Sequence, residues 1–257
     1  MTIEFKTISF TASSAPDAEA AREELVALYG DTELEEADVI VALGGDGFML
    51  QTLHKAMNSA KHIYGMNKGS VGFLMNRYAT ENLHERIAAA TENIIHPLEM
   101  KTEDAYGNKH TALAINEVSL LRQSYQAAKL RVDIDGKTRL AELTCDGLLL
   151  ATPAGSTAYN LSAHGPILPL DTPLMALTPV SAFRPRHWRG ALLPEKVVVD
   201  ITVLECEKRP VNAVADHQEV KSINHVRIRQ ARDMSVSILS DSDNSWSERI
   251  LSEQFSP

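Results

Sequence analysis

An apolar run of five residues, Val39-Ile40-Val41-Ala42-Leu43, empties directly into Gly44-Gly45-Asp46-Gly47, and residues 48–57 then resume helical spacing. No other stretch constrains the fold as much. A short, uniformly apolar run suits a strand buried on both faces of a parallel sheet. Parallel strands in turn need crossover connections, usually helices. The glycines permit positive φ and a close approach of backbone to a ligand. Amide groups opening the next helix face outward and attract phosphate, so Gly44 and Gly45 are candidate phosphate-binding positions. Asp46 is the odd residue, because a carboxylate repels phosphate unless it has another task. Two tasks fit: taking a proton from an attacking hydroxyl, or holding a magnesium ion bound to the phosphates. The competing explanation is an ordinary helix cap. The turn is not a Walker A loop, no dinucleotide-type Gly-x-Gly-x-x-Gly follows the strand, and the protein-kinase signature set is absent.

The same alternation runs through residues 1–93. Residues 3–10 read as a strand, and residues 17–29 have helical spacing (Ala21, Leu25, Leu28) stopped by Gly30. Residues 62–66 form another strand candidate and residues 81–92 another helix. This pattern predicts an α/β, Rossmann-like domain over residues 1–93. From residue 94 to 239 the texture changes to strands joined by turns. Residues 129–135 end in Asp135-Gly136, a hairpin dipeptide. Residues 148–152 suit a buried strand, and residues 196–204 and 220–228 alternate as half-exposed strands do. An all-β second domain is expected there. Residues 240–257 form a closing segment in which 246–255 are amphipathic (Trp246, Ile250, Leu251, Phe255), predicted to pack on the first domain.

With 257 residues, 44% hydrophobic and 23% charged, the chain can bury full cores as one large domain or two smaller ones. A net charge of -9 argues against a uniform basic face and hence against nucleic acid as partner. Arg184, Arg186 and Arg189 still form a local basic cluster, and Arg184 is a candidate for a donor phosphate. Cys145 and Cys206 lack metal-type spacing and suit a reduced intracellular pair. The first residues lack a signal-peptide pattern, and no apolar run approaches the ~18 residues of a membrane span. A cytoplasmic protein without membrane attachment is the expectation.

Two further clusters carry chemistry. Asn116-Glu117 follows the apolar run Ala112-Leu113-Ala114-Ile115, and an amide beside a carboxylate can read adenine edges or hold ribose hydroxyls. A plain strand end explains a bare dipeptide equally well. The other cluster is Asp146-Gly147, then the strand candidate, then Thr152-Pro153-Ala154-Gly155-Ser156-Thr157-Ala158-Tyr159-Asn160-Leu161-Ser162. A strand emptying into so many small and hydroxyl residues suits a nucleotide lying on exposed backbone. Tyr159 offers a stacking surface, and Thr157 or Ser162 hydrogen bonds. Gly155-Ser156 does not supply a Gly-x-Ser-x-Gly hydrolase elbow.

In this order, the glycine turn, the Asn-Glu pair and the Thr-Pro-x-Gly-Ser-Thr-Ala-Tyr-x-Leu-Ser run resemble the NAD kinase family. Residues 69–74 and the turn Asp216-His217-Gln218 extend the likeness over most of the chain. The resemblance implies phosphorylation of the adenosine ribose 2′-hydroxyl of NAD to give NADP, with ATP or polyphosphate as donor. Magnesium is expected to arrive with ATP rather than in a protein cage. It implies Asp46 as proton acceptor, Gly47 beside it, and Phe73 near the adenine. Asn116, Glu117 and Asp146 would contact substrate. Ala154, Thr157, Ala158, Tyr159, Asn160, Leu161 and Ser162 would form the loop around it, and Gln218 would approach from the later turn. The family fold is an α/β domain plus a β-sandwich with the site between them, in homodimers or homotetramers whose neighbouring subunit contributes to the site. Three positions depart from the family pattern: Phe48 stands where threonine is common, and His164 and His217 where glycine is. The glycine turn alone is shared with lipid kinases. A lipid kinase, a non-catalytic NAD sensor and a scaffold on a retained enzyme fold are the alternatives.

Overall fold

The computed structural model describes residues 3–69, 72–242 and 246–255, so Ser70 and Val71 of the family-like segment 69–74 lie outside the described residues. The chain forms two compact units, Met1–Ile95 with Met234–Pro257, and His96–Asp233.

The first unit begins with β1 (Ile8–Ala12), α1 (Pro16–Tyr29), β2 (Val39–Gly44), α2 (Asp46–Lys55), β3 (His62–Asn67), α3 (Leu83–Ala88) and β4 (Thr91–Ile95). The second unit then runs through β5 (Leu98–Asp104), β6 (Lys109–Ala114), β7 (Glu117–Arg122), β8 (Ala128–Ile134), β9 (Lys137–Cys145) and β10 (Gly147–Ala151). A 3-10 turn (Ala154–Thr157) and the single-turn helix α4 (Tyr159–Ser162) lead to β11 (Leu174–Val180) and β12 (Ala191–Pro194). The unit closes with β13 (Val199–Val203), β14 (Val211–Ala215), β15 (Gln218–Val220) and β16 (Ile223–Gln230). Finally β17 (Val236–Ser240) and α5 (Trp246–Gln254) belong to the first unit.

The first unit holds a five-stranded sheet in the order β1-β2-β3-β17-β4, parallel except at the β4 edge. All six residues of β2 are buried, as the apolar run predicts. Val39, Val41 and Leu43 pack with Ile8, Phe10, Leu25, Tyr64, Met66, Leu83 and Ile87 into one core. Three expectations shift. The first strand starts at Ile8 rather than residue 3, because the N–H groups of Lys6 and Thr7 donate to Asp38 Oδ2 (2.8 and 3.1 Å) and not to a strand. The third helix is only Leu83–Ala88, because residues 91–95 pair with β17 as an edge strand. Residues 236–239, expected in the β domain, join Ser240 in β17 instead, pairing with β3 in parallel (Ser237 opposite His62, Ile238 opposite Ile63). Helix α5 buries Trp246 and Ile250, while Leu251 and Phe255, read as part of its apolar face, are exposed.

The second unit is a sandwich of two six-stranded sheets, β12-β11-β10-β7-β14-β15 and β6-β5-β16-β13-β8-β9. Side chains from both sheets share one core, Val118, Leu148, Leu150 and Met175 from the first meeting Met100, Leu130, Ile201 and Ile228 from the second. Of the two strands expected from alternation, residues 196–204 give β13, buried at every second residue, and residues 220–228 give β16, which alternates only from Val226 onward. Asp135 (φ 50°) and Gly136 (φ 72°) make the tight turn between β8 and β9. Among the described residues, no helix is long and apolar enough to cross a membrane.

Candidate active site

The glycine turn sits at the carboxyl end of β2, where the sheet hands the chain to α2. Gly45 is the N-cap, with an extended backbone (φ -111°), so no residue of the turn uses the positive φ that glycine would allow. Two glycine roles separate here. A Cβ on Gly44 would stand 3.0 Å from Phe48, whose side chain lies against the turn. A Cβ on Gly45 or Gly47 would meet nothing within 4 Å. The open space above those two positions is where a ligand can approach the backbone. Phe48 therefore acts on the protein side of the turn, as packing.

Asp46 does not cap its own helix; no side-chain cap bond is formed there. Instead the N–H groups of Phe73 and Leu74 donate to its two carboxylate oxygens, Oδ2 at 2.8 Å and Oδ1 at 3.0 Å. Gly72 permits the approach, since a Cβ there would lie 3.2 Å from Asp46 Oδ1 and 2.7 Å from Met75. Burial pushes the Asp46 carboxyl above the ordinary carboxylate range, opposed by those two amide bonds and by the positive charge of Arg249. The result is a fixed carboxylate with more proton affinity than a solvated aspartate. Phe73, expected near an adenine, is half-buried, and its backbone is what grips Asp46.

In the second unit Asp216 organises the Asn-Glu pair. Its Oδ2 accepts from Ile115 N–H (2.7 Å), and its Oδ1 from the N–H groups of Asn116 (3.0 Å) and Glu117 (3.2 Å). The strand–loop junction is clamped from the other side: Thr152 N–H donates to Asn116 O (2.9 Å), and Thr152 Oγ1 donates to Ile115 O (2.7 Å). Gly155 is required at this contact, because a Cβ there would lie 2.1 Å from Asn116 O. Asn116 Oδ1 and Glu117 Oε2 are buried without a hydrogen-bond partner among the described residues. Such orphaned acceptors are costly unless something fills them. Burial first, and the charge of Asp216 second, raise the Glu117 carboxyl to about 8. In the sequence Asp216 is only part of a turn, and nothing local marks it as the anchor for residues 115–117.

The structure sorts the predicted loop residues. Tyr159 lies within electrostatic reach of Glu117 and Asp146, and burial followed by those charges raises its phenol. Tyr159 thus feels two negative charges, although Glu117 opens β7 and Asp146 is bound to Arg122 at the other end of that strand. Asp146 remains 42% exposed at its side chain while accepting from Arg122 Nε at 2.6 Å, which leaves it open to a ligand. Thr157 and Ala158 are half-buried, Leu161 is likewise partly covered, and Ser162 is exposed. Ala154 is buried in the 3-10 turn. Asn160, expected in the loop around the substrate, turns its side chain inward. It is fully buried; Thr178 Oγ1 donates to its Oδ1 (2.6 Å), and its Nδ2 donates to Ser156 O and Pro166 O (3.1 and 2.9 Å). The side chain builds the loop. His164, where the family often has glycine, stands at φ 61°, a left-handed conformation that costs a non-glycine residue about 1–3 kcal/mol. Gln218 is exposed at the start of β15, two residues beyond Asp216, and His217 is exposed beside it. Arg184 stacks on the exposed Phe183 ring (5.4 Å), as does Arg186 (5.1 Å), so this basic cluster is displayed at the surface on an aromatic support. Among the described residues no three His, Cys, Asp or Glu side chains gather into a metal-binding group.

A held carboxylate beside open glycine backbone at a strand end offers a proton acceptor next to amides that can face phosphate. Residues 115–234 match the ATP-NAD kinase C-terminal domain family. The chain is 71% identical to the NAD kinase of Rhizobium meliloti (strain 1021) over 256 residues, covering all of both chains. It is 60% identical to the NAD kinase of Caulobacter vibrioides over 249 residues, 97% of this chain and 96% of that one. By these relationships the chain belongs to the NAD kinase family. Two solved structures share its fold at low identity. Yeast NADH kinase complexed with NADH superposes with a TM-score of 0.83 at 21% identity, covering 96% of this chain and 86% of that one. An NAD kinase from Archaeoglobus fulgidus in complex with ATP gives 0.74 at 22%, covering 92% and 94%.

Proposed function

We propose that this enzyme transfers the terminal phosphoryl group of magnesium-bound ATP, or of a polyphosphate donor, to the 2′-hydroxyl of the adenosine ribose of NAD. Asp46 is the general base. The observation that carries the reading is the double amide grip on Asp46: Phe73 and Leu74 hold both oxygens in place while burial raises its proton affinity. Each oxygen keeps a further lone pair for the acceptor hydroxyl. As the ribose oxygen attacks phosphorus, its proton passes to Asp46, the O–P bond forms, and the bridging oxygen leaves with ADP. Positioning and electrostatics dominate such a loose transition state. The open backbone at Gly45 and Gly47 gives phosphate oxygens access to the first amides of α2.

The acceptor side is supported by the second unit. Asn116 Oδ1 and Glu117 Oε2, buried and unpartnered, are acceptors of the kind that ribose hydroxyls or an amide satisfy. Tyr159 supplies an aromatic surface, with Asp146 and Gln218 as further polar contacts. The similarity to NAD kinases, and the complexes of the structural neighbours with NADH and with ATP, support NAD as acceptor and ATP as donor. Magnesium is treated as part of the ATP substrate, and a homodimer or homotetramer as the working assembly.

Asp46→Asn tests the base. The variant is expected to fold and to bind NAD in calorimetry with near wild-type affinity. Its kcat for NADP formation should fall about a hundredfold or more. Wild-type kcat in this variant refutes the assignment.

A further inference from the structure

We infer that Arg249, on the C-terminal helix, is a positioning residue for Asp46: it clamps the carbonyl of the same Phe73 whose N–H binds the Asp46 carboxylate. The inference rests on Asp46 being the base. Arg249 Nη1 donates to Phe73 O at 2.7 Å, and its Nη2 donates to Asn76 Oδ1 at 2.9 Å. Phe73 N–H and Leu74 N–H then donate to the two oxygens of Asp46. One guanidinium thus fixes both ends of a four-residue segment, 73–76, whose amides set the angle of the carboxylate. A planar fork suits this task, because two donors in fixed geometry restrain two acceptors at once.

The rest of the network shows that Arg249 is itself held. Asn76 is buried, donates from Nδ2 to Leu239 O (3.0 Å), and accepts from Asp241 N–H at the oxygen it shares with Arg249 (2.9 Å). Asp241 binds Arg86 Nη2 at 2.6 Å and accepts from Tyr64 Oη–H. The groups facing the guanidinium are Asp241, Asp46 and Tyr64, all of which favour its charged form against the cost of burial. Its charge in turn favours the ionised Asp46. The C-terminal helix therefore orients the base through a peptide and keeps it ready to accept a proton. Sequence spacing gave that helix only an apolar face; the arginine was not marked.

The test uses the full-length enzyme with Arg249→Lys, Arg249→Met and Asp46→Asn side by side, reading kcat, KM for NAD, melting temperature and the kcat–pH profile. Positioning predicts that Arg249→Met lowers kcat roughly ten- to a hundredfold, with KM for NAD changed less than about threefold. The acid limb of its profile should move to higher pH, because a base without its neighbouring cation holds its proton more tightly. Arg249→Lys, which restores the charge but not the fork, should return the limb toward wild type with only partial recovery of kcat. If Arg249→Met does not fold, the Lys variant decides alone: kcat and limb both equal to wild type overturn the inference. So does a kcat loss in Met that follows the lost folded fraction with no movement of the limb. A fully active Asp46→Asn refutes the base assignment itself, whereas an inactive Asp46→Asn beside unaffected Arg249 variants refutes only the positioning role.

Discussion

Replacing Glu117 with glutamine should make the second unit more stable, and increasingly so as pH rises. Burial and the facing Asp216 lift the Glu117 carboxyl from its ordinary 4.5 to about 8 in the fold. That displacement corresponds to about 5 kcal/mol of preference for the protonated side chain. The unfolded chain loses its proton near the ordinary value, while the folded chain keeps it until about 8. Between the two, the folded state binds more protons than the unfolded one, so Glu117 costs stability progressively as pH rises through this window, and the cost levels off above it. Water entry and loop relaxation relieve part of a buried charge, so a gap of about 2–4 kcal/mol is expected between variant and wild type near pH 9. Near pH 5 the two should nearly coincide. Urea unfolding reads this directly in a Trp246→Phe background, where Trp188, the only remaining tryptophan, reports the sandwich. The same variant should bind NAD more weakly, because the amide presents a donor where the proposed ligand contact at Oε2 has an acceptor. Unfolding curves for Glu117→Gln and wild type that stay parallel from about pH 5 to about pH 9 would refute the reasoning, because Glu117 would then have no raised proton affinity to relieve.

Gly155→Ala forces a Cβ to 2.1 Å from Asn116 O; backbone on both sides leaves little room to yield. Melting temperature should drop by the equivalent of about 1–3 kcal/mol or more, and KM for NAD should rise as Asn116 and Glu117 are displaced. Asp216→Ala leaves the amides of Ile115, Asn116 and Glu117 without their acceptor. A loss of about 3 kcal/mol or more in denaturant titration is expected, and unchanged stability would show that the three bonds do not hold the junction. Asp46→Asn is expected to separate binding from turnover as described above, and Arg249→Met to move the pH profile while sparing KM for NAD.

Local geometry was legible. The all-buried β2, the turn at residues 44–47, the Asp135-Gly136 hairpin and the alternating β13 each follow from steric or periodic rules that involve only neighbouring residues. The change from α/β to β texture was legible for the same reason, since each segment carries its own period. The family was legible because the run over residues 152–162 is long and specific.

What the sequence did not disclose depends on partners far along the chain. Nothing in residues 236–240 says that they slide between β3 and β4 and complete the first sheet, because a strand's period fixes its faces but not its neighbours. Asn160 belongs to the loop expected around the substrate, and nothing local says that the fold turns its side chain inward onto Thr178. Asp216 grips amides 99–101 residues away, and Arg249 reaches back 176 residues to Phe73. The sequence by itself determined that a carboxylate sits in a phosphate-type turn. Tertiary structure decided how that carboxylate is held: by two amides from another segment rather than by its own helix, which leaves it fixed, partly desolvated and raised in proton affinity. Hydrogen bonds between distant segments exist only once the chain has folded.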